Sequence, residues 1–136
     1  MNKAEVLAFL NANPTCHLAT VEGNAARVRA IGIYKVNEDG ILIQTWKSKD
    51  VSKQLSKNPN IELCFNNYQA GIQVRVRGVV EPIEDAAMKK QVLVDRPFLK
   101  RFAEMGREIA LYRLKKGLAH VWTIQANFEP KTYIEL

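Results

Sequence analysis

The densest collection of groups able to hold an anion lies between Gln44 and Asn60, where a strand-like run ends in Thr45-Trp46 and a Ser48-Lys49 pair opens a stretch of helical spacing. A helix starting there presents a hydroxyl, free backbone N–H groups and the positive end of its dipole to one point. Lys49 and Lys53 are four apart and would share one helix face. Together these groups suit a phosphate dianion. The alternative is a basic helix face that only meets water, which is commoner in proteins generally. An earlier strand carries Arg27-Val28-Arg29. Strand alternation puts Arg27 and Arg29 on one face, where two guanidinium groups repel unless they meet an anion or project into solvent. Set beside the Ser48-Lys49 turn, they would complete a phosphate cradle.

Other chemistry is scarce. The seven glycines are scattered and form no Gly-x-Gly-x-x-Gly turn, and no phosphate-binding loop ends in Gly-Lys-Ser or Gly-Lys-Thr. The two histidines, His17 and His120, fall in strand-like runs with no acid or nucleophile visibly paired to them, so both read as structural. Cys16 and Cys64 lie far apart in apolar runs and read as buried thiols, a redox pair being the lesser alternative. No metal site is expected and no catalytic side chain can be assigned. If the protein is an enzyme, a cofactor carries the hard chemistry.

The elements that must position these groups follow from periodicity. Residues 3 to 13 carry Val6, Leu7 and Leu10 at helical spacing, with Asn2 and Glu5 as a capping box and Pro14 as the stop. Cys16 to Val21, Ala26 to Val36 and Ile41 to Trp46 read as an antiparallel meander joined by turns at Glu22-Gly23-Asn24 and Asn37-Glu38-Asp39-Gly40. Ser48 is the expected cap of a helix over 49–57, closed by Asn58-Pro59. Strands follow at Ile61 to Phe65 and Gly71 to Val80; the latter alternates Ile72, Val74 and Val76 against Gln73, Arg75 and Arg77. Residues 84 to 95 read as a helix with Ala87, Val92 and Leu93 as its apolar side. Phe98 to Arg107 is a short helix or a loop, and Ala110 to Leu114, Leu118 to Gln125 and Lys131 to Leu136 are closing strands. The sum is an α+β, mainly β chain: one domain over residues 1–136, six to eight strands in a barrel or closed sheet, with two or three short helices.

Composition agrees with a globular protein: 136 residues, 47% hydrophobic and 25% charged. No apolar run approaches the roughly 18 residues needed to cross a membrane, and the polar start Met1-Asn2-Lys3 lacks the pattern of a signal peptide. A cytoplasmic location is expected. The net charge of +6 favours an anionic partner, whether nucleic acid, a membrane surface or a phosphorylated small ligand.

These pieces, in their order, make the chain resemble the pyridoxamine 5′-phosphate oxidase-like, flavin mononucleotide (FMN)-binding split-barrel family. The resemblance runs through His17-Leu18-Ala19-Thr20-Val21 with its Gly turn, Arg27-Val28-Arg29, Gln44-Thr45-Trp46, the Ser48-Lys49 helix start, Lys53-Gln54-Leu55, Asn58-Pro59 and Gln73-Val74-Arg75-Val76-Arg77-Gly78. It implies an FMN-binding split β-barrel with flanking short helices and a homodimer with flavin at the interface. It further implies that Arg27, Val28 and Arg29 flank the ring or its phosphate, and that Thr45 and Trp46 lie along the ring and ribityl chain. Ser48, Lys49 and Lys53 would hold the phosphate, Gln54 would touch the ring or chain, and Gln73 and Trp122 of the other subunit would close the pocket. The implied activity is an FMN-dependent oxidoreductase acting on a small molecule, with NADH or NADPH as a candidate donor; a non-catalytic flavin-binding or redox-sensing protein is the alternative. A nucleic-acid-binding barrel ranks behind both, because the Arg75-Arg77 strand has no aromatic neighbour beyond Tyr68, and a haem-binding barrel ranks last. Many members carry a basic residue where this chain has Val51, so Lys49 and Lys53 are expected to supply that charge. Authentic pyridoxamine phosphate oxidases have an Arg-containing C-terminal segment, whereas Glu129 to Leu136 contains no Arg; oxidation of pyridoxine phosphate itself is therefore not expected.

Overall fold

The computed structural model describes residues 1–136. Helix α1 (Lys3–Ala12) starts where the Asn2 side chain accepts the Glu5 N–H at 2.9 Å, as the capping pattern predicts, and it buries Val6, Phe9 and Leu10. The strands β1 (Thr15–Glu22) and β2 (Ala25–Gly32) form a tight hairpin over Gly23, whose φ of 59° suits a residue without a Cβ.

The expected single strand over 26–36 is broken. The chain leaves β2 at Gly32 and resumes as β3 (Lys35–Asn37), which pairs with β4 (Gly40–Trp46) instead of β1. The ladder ends at Pro14, which has no N–H to return to Ile33. The Ile33 N–H bonds to the Pro14 carbonyl at 2.9 Å, and Arg96 donates to the Ile33 carbonyl at 2.8 Å. Helix α2 (Asp50–Lys57) follows, then β5 (Asn60–Asn67) and the twelve-residue β6 (Ile72–Ile83). Helix α3 (Ala86–Asp95), capped by Asp85, leads through a single 3-10 turn (Pro97–Leu99) into α4 (Lys100–Glu104). The strands β7 (Ile109–Leu114), β8 (Leu118–Thr123) and the two-residue β9 (Ile134–Glu135) close the chain. On α3 only Val92 is buried; Leu93 is half-buried and Ala87 exposed, so the expected apolar side is narrower than its sequence suggests.

The antiparallel sheet has nine strands in the order β2-β1-β5-β6-β7-β4-β3, with β8 on β6 and β9 on β8. It is not closed, because β2 and β3 at its two ends are unpaired with each other. The nine strands exceed the expected six to eight, and the open, divided sheet agrees with the split β-barrel expected for the chain rather than with a fully closed sheet. The split originates in β6, whose Ile72–Val79 stretch pairs with β5 while Val80–Ile83 pairs with β7. One long strand thus belongs to two halves of the sheet.

Two apolar cores result. The larger holds twenty buried residues, among them Leu18, Leu63, Phe65, Val74 and Val76. The smaller holds six and lies beneath α3, the 3-10 turn and α4. Strands β4 and β7 serve both, through the two-residue period of a strand: Ile41 and Ile43 face the larger core, Leu42 and Trp46 the smaller.

Candidate functional site

A cleft of about 620 Å³ opens where β2, the end of β4 and the start of α2 meet, a size that suits a cofactor. Arg27, Val28, Arg29 and Ile31 line it from β2, Thr45 from β4, and the Ser48–Val51 turn and Gln54 from α2.

Arg29 is held by neutral acceptors only. Its guanidinium donates to the Thr20 hydroxyl at 2.6 Å, the Gln54 side-chain carbonyl at 2.6 Å and the Leu18 backbone carbonyl at 3.3 Å. Thr20 in turn donates to the Gln54 carbonyl at 2.5 Å, and the Gln54 amide donates to Glu22 at 3.1 Å. The donors converging on one end of Gln54 and the carboxylate at the other fix the orientation of its amide. Thr20 and Gln54 are both buried, so this network is internal structure rather than a surface accident. Burial draws the Arg29 pKa below its ordinary value, partly offset by the Asp50 carboxylate, yet a guanidinium stays charged at any ordinary pH. Its cationic charge is therefore positioned without a bonded counter-ion. Arg27 differs: it forms an ion pair with Glu22 at 3.2 Å. The Gln54 amide, and then Arg27, hold the Glu22 carboxyl below the usual carboxylate range.

The start of α2 adds unused donors. Lys49, not the expected Ser48, occupies the capping position, with extended backbone and no side-chain cap. The N–H groups of Ser52 and Lys53 bond back to the Lys49 carbonyl at 3.1 and 3.3 Å, which leaves those of Asp50 and Val51 without a partner. The Ser48 hydroxyl and the Lys49 ammonium are likewise free of partners within the chain, and both line the cleft. Two free N–H groups, a hydroxyl and an ammonium at a helix start make an anion site. Two carboxylates, Glu22 and Asp50, share the cleft, so its formal charge is carried by three cations against two anions.

A sequence profile described as pyridoxamine 5′-phosphate oxidase matches residues 3–125, nearly the whole chain. The chain belongs to the pyridoxamine 5′-phosphate oxidase family. Among relatives of this family, a pyridoxine/pyridoxamine 5′-phosphate oxidase of Maricaulis maris is 37% identical over 67 residues, 48% of this chain and 30% of that one. Another from a Bradyrhizobium strain is 33% identical over 85 residues, 62% of this chain and 38% of that one. The chain thus matches well under half the length of either. Among solved structures, a NimC/NimA family protein from Clostridium acetobutylicum superposes with a TM-score of 0.79 at 26% identity, covering 98% of this chain and 92% of the other. General Stress Protein 26 from Bacillus anthracis superposes with a TM-score of 0.72 at 14% identity, covering 98% of each.

Within this family member the fold brings Arg27, Val28, Arg29, Thr45, Ser48, Lys49 and Gln54 into one cleft. Trp46 and Lys53 lie outside that cleft, and Gln73 and Trp122, expected from a second subunit, sit elsewhere on this one. Trp46 follows Thr45 on an alternating strand and so points the other way, edge-on to Phe102 in the smaller core at 5.8 Å between centroids. Lys53 lines a second cleft on the other side of α2. Gln73 and Trp122 pair across β6 and β8 on the outer face of the sheet. They donate there to Asn66 at 3.0 Å and Asn127 at 2.8 Å, beside Arg75 and Lys131. Sequence reasoning missed Thr20, Glu22 and Asp50. A lone threonine among the inward positions of an apolar strand was the available signal for Thr20; the Glu22–Gln54 contact spans 32 residues and leaves no local mark.

The remaining reactive side chains stay apart from this site. Cys16 pairs across the sheet with Phe65 and Cys64 with His17, so the two thiols occupy opposite faces and cannot form a disulfide. Burial pushes the Cys16 thiol up to about 12. His120 meets the Thr132 carbonyl through Nδ1 at 3.2 Å, a structural contact. No three His, Cys, Asp or Glu side chains converge as a metal group would need.

Proposed function

We propose that the chain binds FMN in the cleft between β2 and α2 and works as an FMN-dependent oxidoreductase on a small molecule. The observation that carries this is Arg29, a cation fixed by neutral acceptors beside the unused donors of the α2 start. The residues fit the cofactor. The Ser48 hydroxyl, the Asp50 and Val51 N–H groups and the Lys49 ammonium would hold the phosphate. Arg29 would place positive charge along the ring, which favours an anionic reduced flavin by Coulomb attraction, and Thr45 would contact the ring or chain. Gln54 positions Arg29.

When bound, the flavin supplies hydride transfer. The chain's residues hold and orient it, and the cationic cleft tunes its potential. The proposal extends to a homodimer in which Gln73 and Trp122 of the second subunit close the pocket. Its support is an outer sheet face bearing Val28, 68% exposed, with exposed Ala26 and Ala30 on the same strand. NADH or NADPH is proposed as the donor, a nitroaromatic or quinone as the acceptor class, residues 1–136 as one flavin-binding domain, and the cytoplasm as its location. No helix is long and apolar enough to cross a membrane.

An absorption spectrum of the purified protein, with and without added FMN, is the direct test. Flavin bands that stay with the protein through gel filtration support the reading, and a colourless protein that fails to retain added FMN ends it. Steady-state oxidation of NADH or NADPH with an acceptor then separates an oxidoreductase from a non-catalytic flavin carrier.

A further inference from the structure

The far side of α2 borders a second cleft, also of about 620 Å³, walled by α2, the end of β6 and β7. The flavin reading does not use it. Its floor is apolar and buried: Leu55, Val80, Ala110 and Tyr112 line it, with Pro59 and Pro82 beside them.

Two polar groups in this cleft lack partners. Tyr112 is only 8% exposed, yet its hydroxyl makes no hydrogen bond within the chain and is not among the polar atoms sealed from solvent. The hydroxyl thus keeps some contact with solvent, and its residue lines the cleft. Lys53 is the second. Of the four charged side chains around the cleft, three are already matched. Lys47 pairs with Glu84 and Glu108 at 3.6 and 3.5 Å, Glu84 also with Lys89 at 2.8 Å, and Glu81 with Arg113 at 3.7 Å. Lys53 alone has no ion pair, so its ammonium is the cleft's uncompensated charge.

We propose that this second cleft is a binding site for a small monocarboxylate with a flat apolar body. The body covers Leu55, Val80 and Ala110, which removes apolar surface from water. The carboxylate meets Lys53, and a polar edge meets the Tyr112 hydroxyl, which has no partner within the chain. A neutral apolar molecule would leave Lys53 unanswered, and a polyanion would meet Glu81 and Glu84 at the rim. Both clefts share α2: Gln54 faces the first, Lys53 and Leu55 the second. A ligand in the second cleft therefore packs against the helix that positions Arg29.

The test is calorimetric titration of 2-naphthoate into the full chain saturated with FMN, with 2-naphthylmethanol as the neutral comparison and K53Q, Y112F and K49Q as variants. The expected result is saturable binding of 2-naphthoate and none of the alcohol. K53Q weakens it roughly threefold to fivefold, as the loss of one solvent-exposed charge contact implies, Y112F weakens it less, and K49Q leaves it unchanged. No binding by the parent chain overturns the inference. So does equal affinity for the alcohol, or binding that falls with K49Q but not with K53Q, which would place the probe in the first cleft. Lys53 is exposed and hydrogen-bonds only through its backbone, so K53Q leaves the fold intact. Failure here leaves the flavin spectrum unaffected, so the two readings are separable.

Discussion

The two clefts beside α2 are equal in volume, about 620 Å³ each, and opposite in how their charges are held. In the first, the central cation Arg29 rests on a hydroxyl, an amide carbonyl and a backbone carbonyl. In the second, Lys47, Glu81 and Glu84 are matched by opposite charges at the rim, and only Lys53 is left over. The difference teaches what makes a charge available. A cation held by dipoles keeps its field for a ligand, whereas one held by carboxylates has largely cancelled it. Exposed ion pairs, moreover, contribute little to stability, while a buried network of hydrogen bonds to a cation contributes more.

The sharpest way to break this comparison is R29M. Losing a charged, preformed contact costs about 2 kcal/mol, so FMN affinity should fall roughly thirtyfold in a fluorescence-quenching titration. R27M should fall far less, because Arg27 already pairs with Glu22; equal losses would refute the distinction.

Next is Q54L. It removes the acceptor for Thr20 and Arg29 and the donor to Glu22, leaving buried polar groups unanswered. A destabilisation of about 1.5 kcal/mol is expected, read as a lower urea midpoint with unchanged slope. An unshifted midpoint would show that the network does not stabilise the fold.

Smaller still is K49Q, which should weaken FMN binding about threefold to fivefold and flatten its salt dependence. K53Q should leave FMN affinity as it was, since Lys53 lines the other cleft.

The acid limb sharpens the contrast further. The Gln54 amide and then Arg27 hold the folded Glu22 carboxyl below its ordinary range. A depressed folded pKa gives stability that is present above the unfolded value and lost as pH falls through the folded one. Glu22→Gln should therefore lower the urea midpoint at neutral and alkaline pH and flatten its decline at acid pH, the two proteins converging once Glu22 is protonated in the folded state. The smallest effect is expected from K47M at the second rim, with no resolvable change in midpoint or FMN affinity. A clear loss there would mean that the exposed pairs matter more than their solvation allows.

Much of the architecture was legible. The Asn2–Glu5 cap, the alternation from Ile72 to Arg77 and the Asn58-Pro59 stop all act within a few residues, and each appears where local pattern places it. The break after Gly32 was not legible, because Ile31 to Val36 contains no breaker once past Gly32 and continues in strand-forming residues. Pro14 and Arg96 hold the Ile33 backbone at that break, and both are distant in sequence. The same reason separates the predicted site residues. Arg27 and Arg29 lie on one strand, so their shared face follows from alternation alone. Lys49 and Lys53 line different clefts on either side of α2, which their spacing of four did not reveal, and grouping Trp46 with Thr45 overlooked the pleat.

By itself, then, the order of residues determined which segments become strands and helices, and that a basic turn precedes α2, because propensity, alternation and capping act over neighbouring residues. Only the tertiary structure decided that Arg29 would be gripped by Thr20 and Gln54, that Lys53 would turn away from it, and that β6 would divide the sheet. Those outcomes depend on contacts between residues tens of positions apart, which exist only once the strands have chosen their partners.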